Sequence, residues 1–166
     1  MYRSIEDFIK DWDAESTGSV KVFSTLTENT KKVLVHPEVR SLERLSWHLI
    51  QTITEMGNRA GLFNEDELEH SNMPSTVQEL AKIYEKYSEA LIKAVRSKWT
   101  DSSLTDQVEM YEELWEKGKI LRVLISHQSH HRGQMTVIMR ILGLPVPGLY
   151  GPSKEEWAEF GMIAPD

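Results

Sequence analysis

The amino-acid sequence predicts an all-α protein, and the architecture that it favours is a four-helix bundle. Apolar residues recur at three- and four-residue steps through four separate segments, which is the period of an α-helix. Glycines, prolines and acidic polar stretches separate these segments, and no part of the chain shows a convincing strand pattern. Amphipathic helices without a sheet bury their apolar faces against one another, and bundles commonly carry binding sites on facing helices.

The first predicted helix extends from Ile5 to about Val35. Gly18 lies in its middle and indicates either a bend or a close approach to a neighbour, because glycine weakens a helix by about 1 kcal/mol relative to alanine. His36-Pro37 is expected to end the helix, since the residue before proline is disfavoured in the α conformation. The loop to the second helix is then short, and we expect these two helices to be antiparallel neighbours.

Helix-capping residues define the second and third predicted helices. Ser41 caps a second helix that ends near Gly57 to Gly61, and the acidic segment 64–75 forms a long connection. Thr76 and Glu79 fit a capping box, so the third helix is predicted to begin there and to reach about Trp99.

Segment 100–118 supports a strand and a helix about equally, and we interpret it as a loop with a short element. A fourth helix is predicted from Lys119 to Leu142, where Gly143 and the following prolines stop it. The tail, 149–166, is turn-rich, with one helical turn around residues 155–160. The long connections between helices 2 and 3 and between helices 3 and 4 leave room for an irregular topology.

Composition restricts the class of protein. The 166 residues favour a single domain over 1–166, and the absence of cysteine excludes disulfides, thiolate metal sites and a cysteine nucleophile. A formal charge of −7 disfavours nucleic acid and anionic membrane surfaces as partners. The acidic start of the chain does not resemble a signal peptide, and no apolar run approaches the roughly 20 residues of a membrane span, so a cytoplasmic location is expected.

Histidines mark the candidate site on the fourth helix. His127 and His131 fall on the apolar stripe of this helix, and His48 lies at the edge of the inner face of the second helix. Buried imidazoles need polar partners, and two histidines one helical turn apart can bind one metal ion. His130 offers a competing pairing with His127, and spacing alone does not choose between them. The three inward histidines, His48, His127 and His131, could meet within the bundle.

Three stretches of the sequence resemble the DinB family over nearly the whole chain. These are Trp47-His48-Leu49, the string from His127 to Gln134, and the closing Gly143-Leu144-Pro145-Val146-Pro147-Gly148-Leu149-Tyr150-Gly151-Pro152. The resemblance implies a four-helix bundle, usually a homodimer, in which three histidines hold a divalent metal ion, most often zinc or nickel. The ligands that match are His48, His127 and His131, which leaves His130 as a non-ligand.

Three neutral histidines leave a metal ion with an open position, which is typical of catalytic sites. Characterised relatives in the family use low-molecular-weight thiols such as bacillithiol or mycothiol, which implies a thiol transferase. A hydrolase acting through metal-bound hydroxide and a non-catalytic metal-binding bundle are the alternatives. The sequence assigns no general acid or base. Gln134 could orient a ligand or pack as a polar core residue, and Tyr150 could close over the site or lie in a surface turn. Arg132 is expected to face away from the centre of the stripe, at the helix surface or a dimer contact rather than as an anion clamp.

Overall fold

The computed structural model describes residues 2–165, which form four long α-helices, a β-hairpin and two short 3₁₀-helices. The helices are α1 (Ile5–Thr25), α2 (Leu42–Arg59), α3 (Val77–Lys98) and α4 (Lys117–Ile141). Strands β1 (Gln107–Met110) and β2 (Glu113–Glu116) follow a 3₁₀-helix at Asp101–Thr105, and a second 3₁₀-helix spans Glu156–Phe160. The predicted all-α four-helix bundle is confirmed.

The helices pack in an order that differs from their order along the chain. Helix α1 packs against α3 and α4, and α2 packs against the same two helices. The consecutive helices α1 and α2 therefore lie diagonally across the bundle, and the expectation that they are neighbours is wrong. The link between them, 26–41, is longer than expected and allows the chain to cross the end of the bundle.

The predicted extent of the first helix to Val35 is wrong, because α1 ends at Thr25. Leu26 adopts an extended backbone with φ −71° and ψ 151°. Lys31, which is only 3% exposed, forms an ion pair with Glu28 and donates a hydrogen bond to the carbonyl of Ser75. These contacts hold the link against the α2–α3 connection, so apolar residues that continue the helical period lie outside the helix.

The predicted starts of α2 and α3 are confirmed by their capping contacts. The Ser41 hydroxyl accepts a hydrogen bond from the backbone N–H of Arg44 (3.3 Å). Thr76 and Glu79 form the expected capping box, with each side chain accepting from the other residue's backbone N–H at 3.2 Å. Such caps satisfy N–H groups that the first helical turn leaves unpaired.

The hairpin lies in the segment predicted as a loop with a short element. Its strands pair antiparallel, with Val108 opposite Trp115. Tyr111 and Glu112 form the turn with φ of 53° and 66°, a left-handed conformation that usually selects Asn-Gly in two-residue hairpins. Because this turn lacks that pair, the sequence contains no clear hairpin signal. The Tyr111 hydroxyl donates to Glu55 on α2 at 2.7 Å, which attaches the hairpin to the bundle.

The core lies between the four helices and is rich in large side chains. Trp12, Trp47, Tyr84, Phe8 and Phe23 are almost completely buried there. None of the helices formed within residues 2–165 combines the length and apolar character needed to cross a bilayer.

Candidate metal centre

Three imidazole rings converge between α2 and α4. The Nε2 atom of His48 lies 3.2 Å from that of His127 and 3.1 Å from that of His131, and the last two are 3.1 Å apart. Zinc–nitrogen bonds of about 2.0–2.1 Å place the nitrogens of a tetrahedral site about 3.3–3.4 Å apart. The observed triangle is within a few tenths of an ångström of that spacing, so the three residues could hold one metal ion.

The ligand set is neutral and leaves room for a further ligand. In the described part of the chain, no acidic side chain joins the three imidazoles in this cluster. Three ligands on one side of a metal ion leave its other side open, which distinguishes such sites from closed four-ligand structural sites. The geometry is therefore that of a site able to accept a small molecule.

Helix geometry and one buried glutamine position the rings. His127 and His131 are one turn apart on α4, and both face His48 on α2. Gln128, which is fully buried, donates to the carbonyl of Leu49 at 3.1 Å and accepts from the Tyr84 hydroxyl at 3.1 Å. Gln128 directly follows His127 in the chain, and Leu49 directly follows His48. Sequence reasoning missed this role of Gln128, although the residue lies within the histidine-rich string.

Gln134 fixes the tautomer of His131. Its side-chain oxygen Oε1 lies 2.7 Å from Nδ1 of His131, and because Oε1 can only accept, Nδ1 carries the proton. The Nε2 lone pair of His131 then points into the triangle, as a metal ligand requires. The amide nitrogen of Gln134 donates to Nε2 of His130 at 3.2 Å, so that His130 lies outside the triangle. By contrast, Nδ1 of His127 is buried without a hydrogen-bond partner among the described residues.

Burial keeps the three imidazoles neutral. Desolvation, reinforced by the other imidazoles of the cluster, lowers the pKa of His48 and of His127 from 6.5 to about 4. Burial also lowers the pKa of His131, and the positive charge of Arg40 contributes to the lowered pKa of all three. At neutral pH the rings therefore have free lone pairs, which metal binding requires.

The sequence predicts Arg132 at the helix surface or in a dimer contact, and the structure contradicts the surface position. Arg132 is buried against α1 with a relative exposure of 1%. Its guanidinium contacts the Glu15 carboxylate at 2.5 Å, the Glu15 carbonyl at 2.8 Å and the Ser19 hydroxyl at 3.1 Å. Gly18 lies beside it, and a Cβ at that position would be in ordinary contact with the guanidinium carbon at 3.5 Å but in tight contact with the Leu149 side chain at 3.3 Å. Gly18 thus marks a close approach to a neighbour, the Leu149 side chain of the tail, which is one of the two expected alternatives.

Tyr150 contacts the same ion pair from the surface, since it is 72% exposed. Its hydroxyl accepts from Arg132 at 2.5 Å and donates to the Glu15 carboxylate at 2.7 Å. The residue therefore contacts the ion pair between α1 and α4. Of the two alternatives for Tyr150, its exposure and its contacts agree with a surface turn and not with closure over the histidine rings. The contact anchors the C-terminal tail to the bundle.

A groove of about 520 Å³ adjoins His131. The link 26–41, the start of α2 and the last turns of α4 form its walls, with Arg40, Glu38 and Gln134 as its other polar lining. A larger groove of about 760 Å³ lies between α1 and α3, but none of the three histidines lines it. The smaller groove is therefore the one that adjoins the candidate metal centre.

Fold and site together define a class of protein: a helical bundle in which facing helices present an open three-histidine centre. The model of the DinB family matches residues 1–165. The chain belongs to the DinB family, and the family resemblance of its sequence motifs is confirmed.

Relatives in Bacillus support this assignment. The chain is 36% identical over 165 residues to the uncharacterized protein YrdA of Bacillus subtilis strain 168, and the match covers 99% of both proteins. A DinB-like protein from Bacillus cereus has a crystal structure with a TM-score of 0.80 and 34% identity, covering 90% of this chain and all of that one. The DinB-like protein YjoA of B. subtilis has a TM-score of 0.68 at 15% identity, covering 84% and 96% of the two chains, and shows the fold alone.

Proposed function

We propose that this protein binds one divalent metal ion, zinc or nickel, through His48, His127 and His131, and transfers a low-molecular-weight thiol to an electrophile. The observation that supports this proposal is the triangle of three Nε2 atoms, 3.1–3.2 Å apart, formed by neutral imidazoles with one side open. A bound divalent metal ion would supply positive charge that lowers the pKa of a thiol next to it.

The protein's own contribution is to present three neutral, oriented rings. Because imidazoles add no negative charge, the centre favours an anionic further ligand, and thiolate sulfur matches zinc or nickel better than carboxylate oxygen. Gln134 holds His131 in the required tautomer, and Gln128 connects the two helices next to His127 and His48. These contacts keep the three nitrogens together before any ligand binds.

The proposed thiol transfer is a nucleophilic displacement and needs no oxidant or reductant. The thiol releases its proton to solvent, and its sulfur forms a bond to an electrophilic carbon of the acceptor. The bond from that carbon to the leaving group breaks, and the leaving group takes the electron pair. The groove beside His131 offers the acceptor a place next to the reacting sulfur.

Metal analysis tests the ligand set. Purified protein is expected to hold close to one divalent metal ion per chain, and replacement of His48, His127 or His131 by alanine is expected to abolish this binding. His130→Ala is the matched control and is expected to keep the metal, because His130 contacts Gln134 and lies outside the triangle. Full metal content in His131→Ala would contradict the proposed site.

A thiol titration tests the reaction. In cobalt-substituted protein, a small thiol is expected to produce a thiolate-to-metal charge-transfer band, with an apparent thiol pKa below the free value of about 8.5. The same thiol is expected to attack a model electrophile faster than it does in solution, and His48→Ala is expected to lose this gain. Failure of thiols to change the spectrum, together with cleavage of an activated ester whose rate rises through a pKa of about 7, would indicate a hydrolase. Absence of both activities would support a non-catalytic metal-binding bundle.

A further inference from the structure

We propose that the groove beside His131 binds an acceptor substrate with an elongated apolar body and one carboxylate, the carboxylate being held by Arg40. This inference specifies the substrate class of the same site, and it rests on the proposed function only for the chemistry at the electrophilic carbon. Binding in the groove is measured separately from that chemistry.

The walls of the groove are apolar and belong to three parts of the chain. Val35 and Val39 come from the link 26–41, Leu45 from α2, and Val137, Ile138 and Ile141 from α4. Val137 and Ile141 are 61% and 64% exposed, so water contacts large apolar side chains of this groove. Small-molecule sites are lined predominantly by apolar side chains with a few polar groups, and this groove has such a lining.

The groove is elongated along α4. His131, Gln134, Ile138 and Ile141 recur at three- and four-residue steps and therefore line one face of the helix. The rise of about 1.5 Å per residue places the far end about 15 Å from His131. A volume of about 520 Å³ is within the range of roughly 300–1,000 Å³ of small-molecule sites. An extended hydrocarbon chain fits this shape better than a compact polar molecule.

The groove is lined by one basic and one acidic side chain, Arg40 and Glu38. Arg40 and His131 line the same groove, so a ligand that fills it can contact both side chains. A guanidinium binds a carboxylate through charge-assisted hydrogen bonds. Glu38 also lines the groove, and its carboxylate disfavours a ligand with a second anionic end. The lining thus favours an apolar molecule with one anionic group, which Arg40 binds.

Calorimetry with fatty carboxylates tests the binding mode in metal-loaded protein. Affinity is expected to rise roughly two- to four-fold for each methylene added from butanoate to octanoate, because each added group leaves water. Arg40→Gln is expected to weaken octanoate binding about ten-fold, because the carboxylate loses its charged partner. Val137→Asp is expected to weaken binding as well, because it places a negative charge in the apolar wall of the groove. Arg122→Gln changes an exposed arginine of α4 that lies outside the groove, and is expected to leave the affinity unchanged.

The reaction assay uses 2-bromooctanoate, which combines the carboxylate, the chain and an electrophilic carbon. The thiol sulfur displaces bromide, and its rate in wild-type protein is expected to exceed that of Arg40→Gln at equal metal content. A normal thiol band without octanoate binding would overturn the substrate class alone. Conversely, Arg40-dependent octanoate binding without a thiol band would overturn thiol transfer alone. If Val137→Asp halves the particle mass in light scattering and octanoate does not bind, the groove is an interface between two copies and the substrate proposal is wrong.

Discussion

Arg132 on α4 and Glu15 on α1 form an ion pair inside the bundle, with Nη2 and Oε2 2.5 Å apart and side-chain exposures of 2% and 9%. Arg132 directly follows His131 in the chain. Its contacts with Glu15 and Ser19 therefore fix the rotation of α4 at the level of the histidine triangle. The ion pair on one side of α4 and the Gln128–Leu49 contact with α2 together hold the helix in the orientation that directs His127 and His131 toward His48.

Arg132→Met is expected to reduce the free energy of unfolding by about 3–5 kcal/mol. The substitution leaves the buried Glu15 carboxylate without its ionic partner, and an uncompensated buried charge has a cost of this order. Urea denaturation of the metal-free protein measures the change directly. Metal affinity is expected to fall as well, because α4 loses a contact next to His131.

Two variants identify the cause of the expected loss of stability. Arg132→Met combined with Glu15→Leu is expected to recover most of the stability, since removing both charges abolishes the unpaired carboxylate. Arg122→Met, at an exposed position of the same helix, is expected to change stability by less than about 0.5 kcal/mol. Equal stability of Arg132→Met and wild type would show that the ion pair does not stabilise the fold.

Gln134→Ala is expected to weaken metal binding about 10- to 100-fold, because residues that orient a metal-bound histidine contribute on this scale. Without the Gln134 oxygen, Nδ1 of His131 loses the acceptor that holds the proton on that nitrogen. Gln134→Glu retains an acceptor and is expected to keep most of the affinity. Competition with a chelator of known affinity measures both variants. An unchanged affinity in Gln134→Ala would remove Gln134 from the centre and leave the ligand assignment intact.

Local signals in the sequence are sufficient to predict most helices and the histidine cluster. Each cap, at Ser41 and at Thr76, involves residues only three positions apart in the chain. The helical period places His127 and His131 on one face of α4. The resemblance to a known family then selects His131 over His130 as the second ligand on α4. In each case the pattern lies within a few residues or within a recognisable motif.

Features that depend on distant contacts could not be predicted. Arg132 is buried because it bonds to Glu15 and Ser19 on α1, more than a hundred residues earlier in the chain. The end of α1 at Thr25 depends on Lys31 reaching the α2–α3 connection. The hairpin turn uses Tyr111 and neighbouring Glu112 in a conformation that their residue types rarely adopt. The helical period and the composition of the sequence do not indicate which distant residues form these contacts.

Metal-free protein is expected to lose stability as the pH falls from about 6.5 to about 4. Burial lowers the pKa of His48 and His127 to about 4 in the folded chain, whereas exposed histidine has a pKa of 6.5. Between these values the unfolded chain binds more protons than the folded chain, so the free energy of unfolding rises with pH across this window. Above about 6.5 the rings are neutral in both states, and this contribution to the pH dependence disappears. Because the rings are partly exposed, solvent screening reduces the size of the effect.

Urea denaturation at several pH values within this window, in the presence of a chelator, measures the dependence. His127→Gln removes one of the groups that stays neutral on folding, so its stability is expected to depend less steeply on pH than that of wild type. His70→Gln provides the control, because His70 is an exposed histidine of the α2–α3 connection, outside the cluster. Metal-loaded protein is expected to show a steeper loss than metal-free protein, since protons then compete with the metal for the same nitrogens. Stability of the metal-free protein that stays constant from about pH 6.5 to 4.5, or that rises as the pH falls, would show that the three rings are not held neutral by burial.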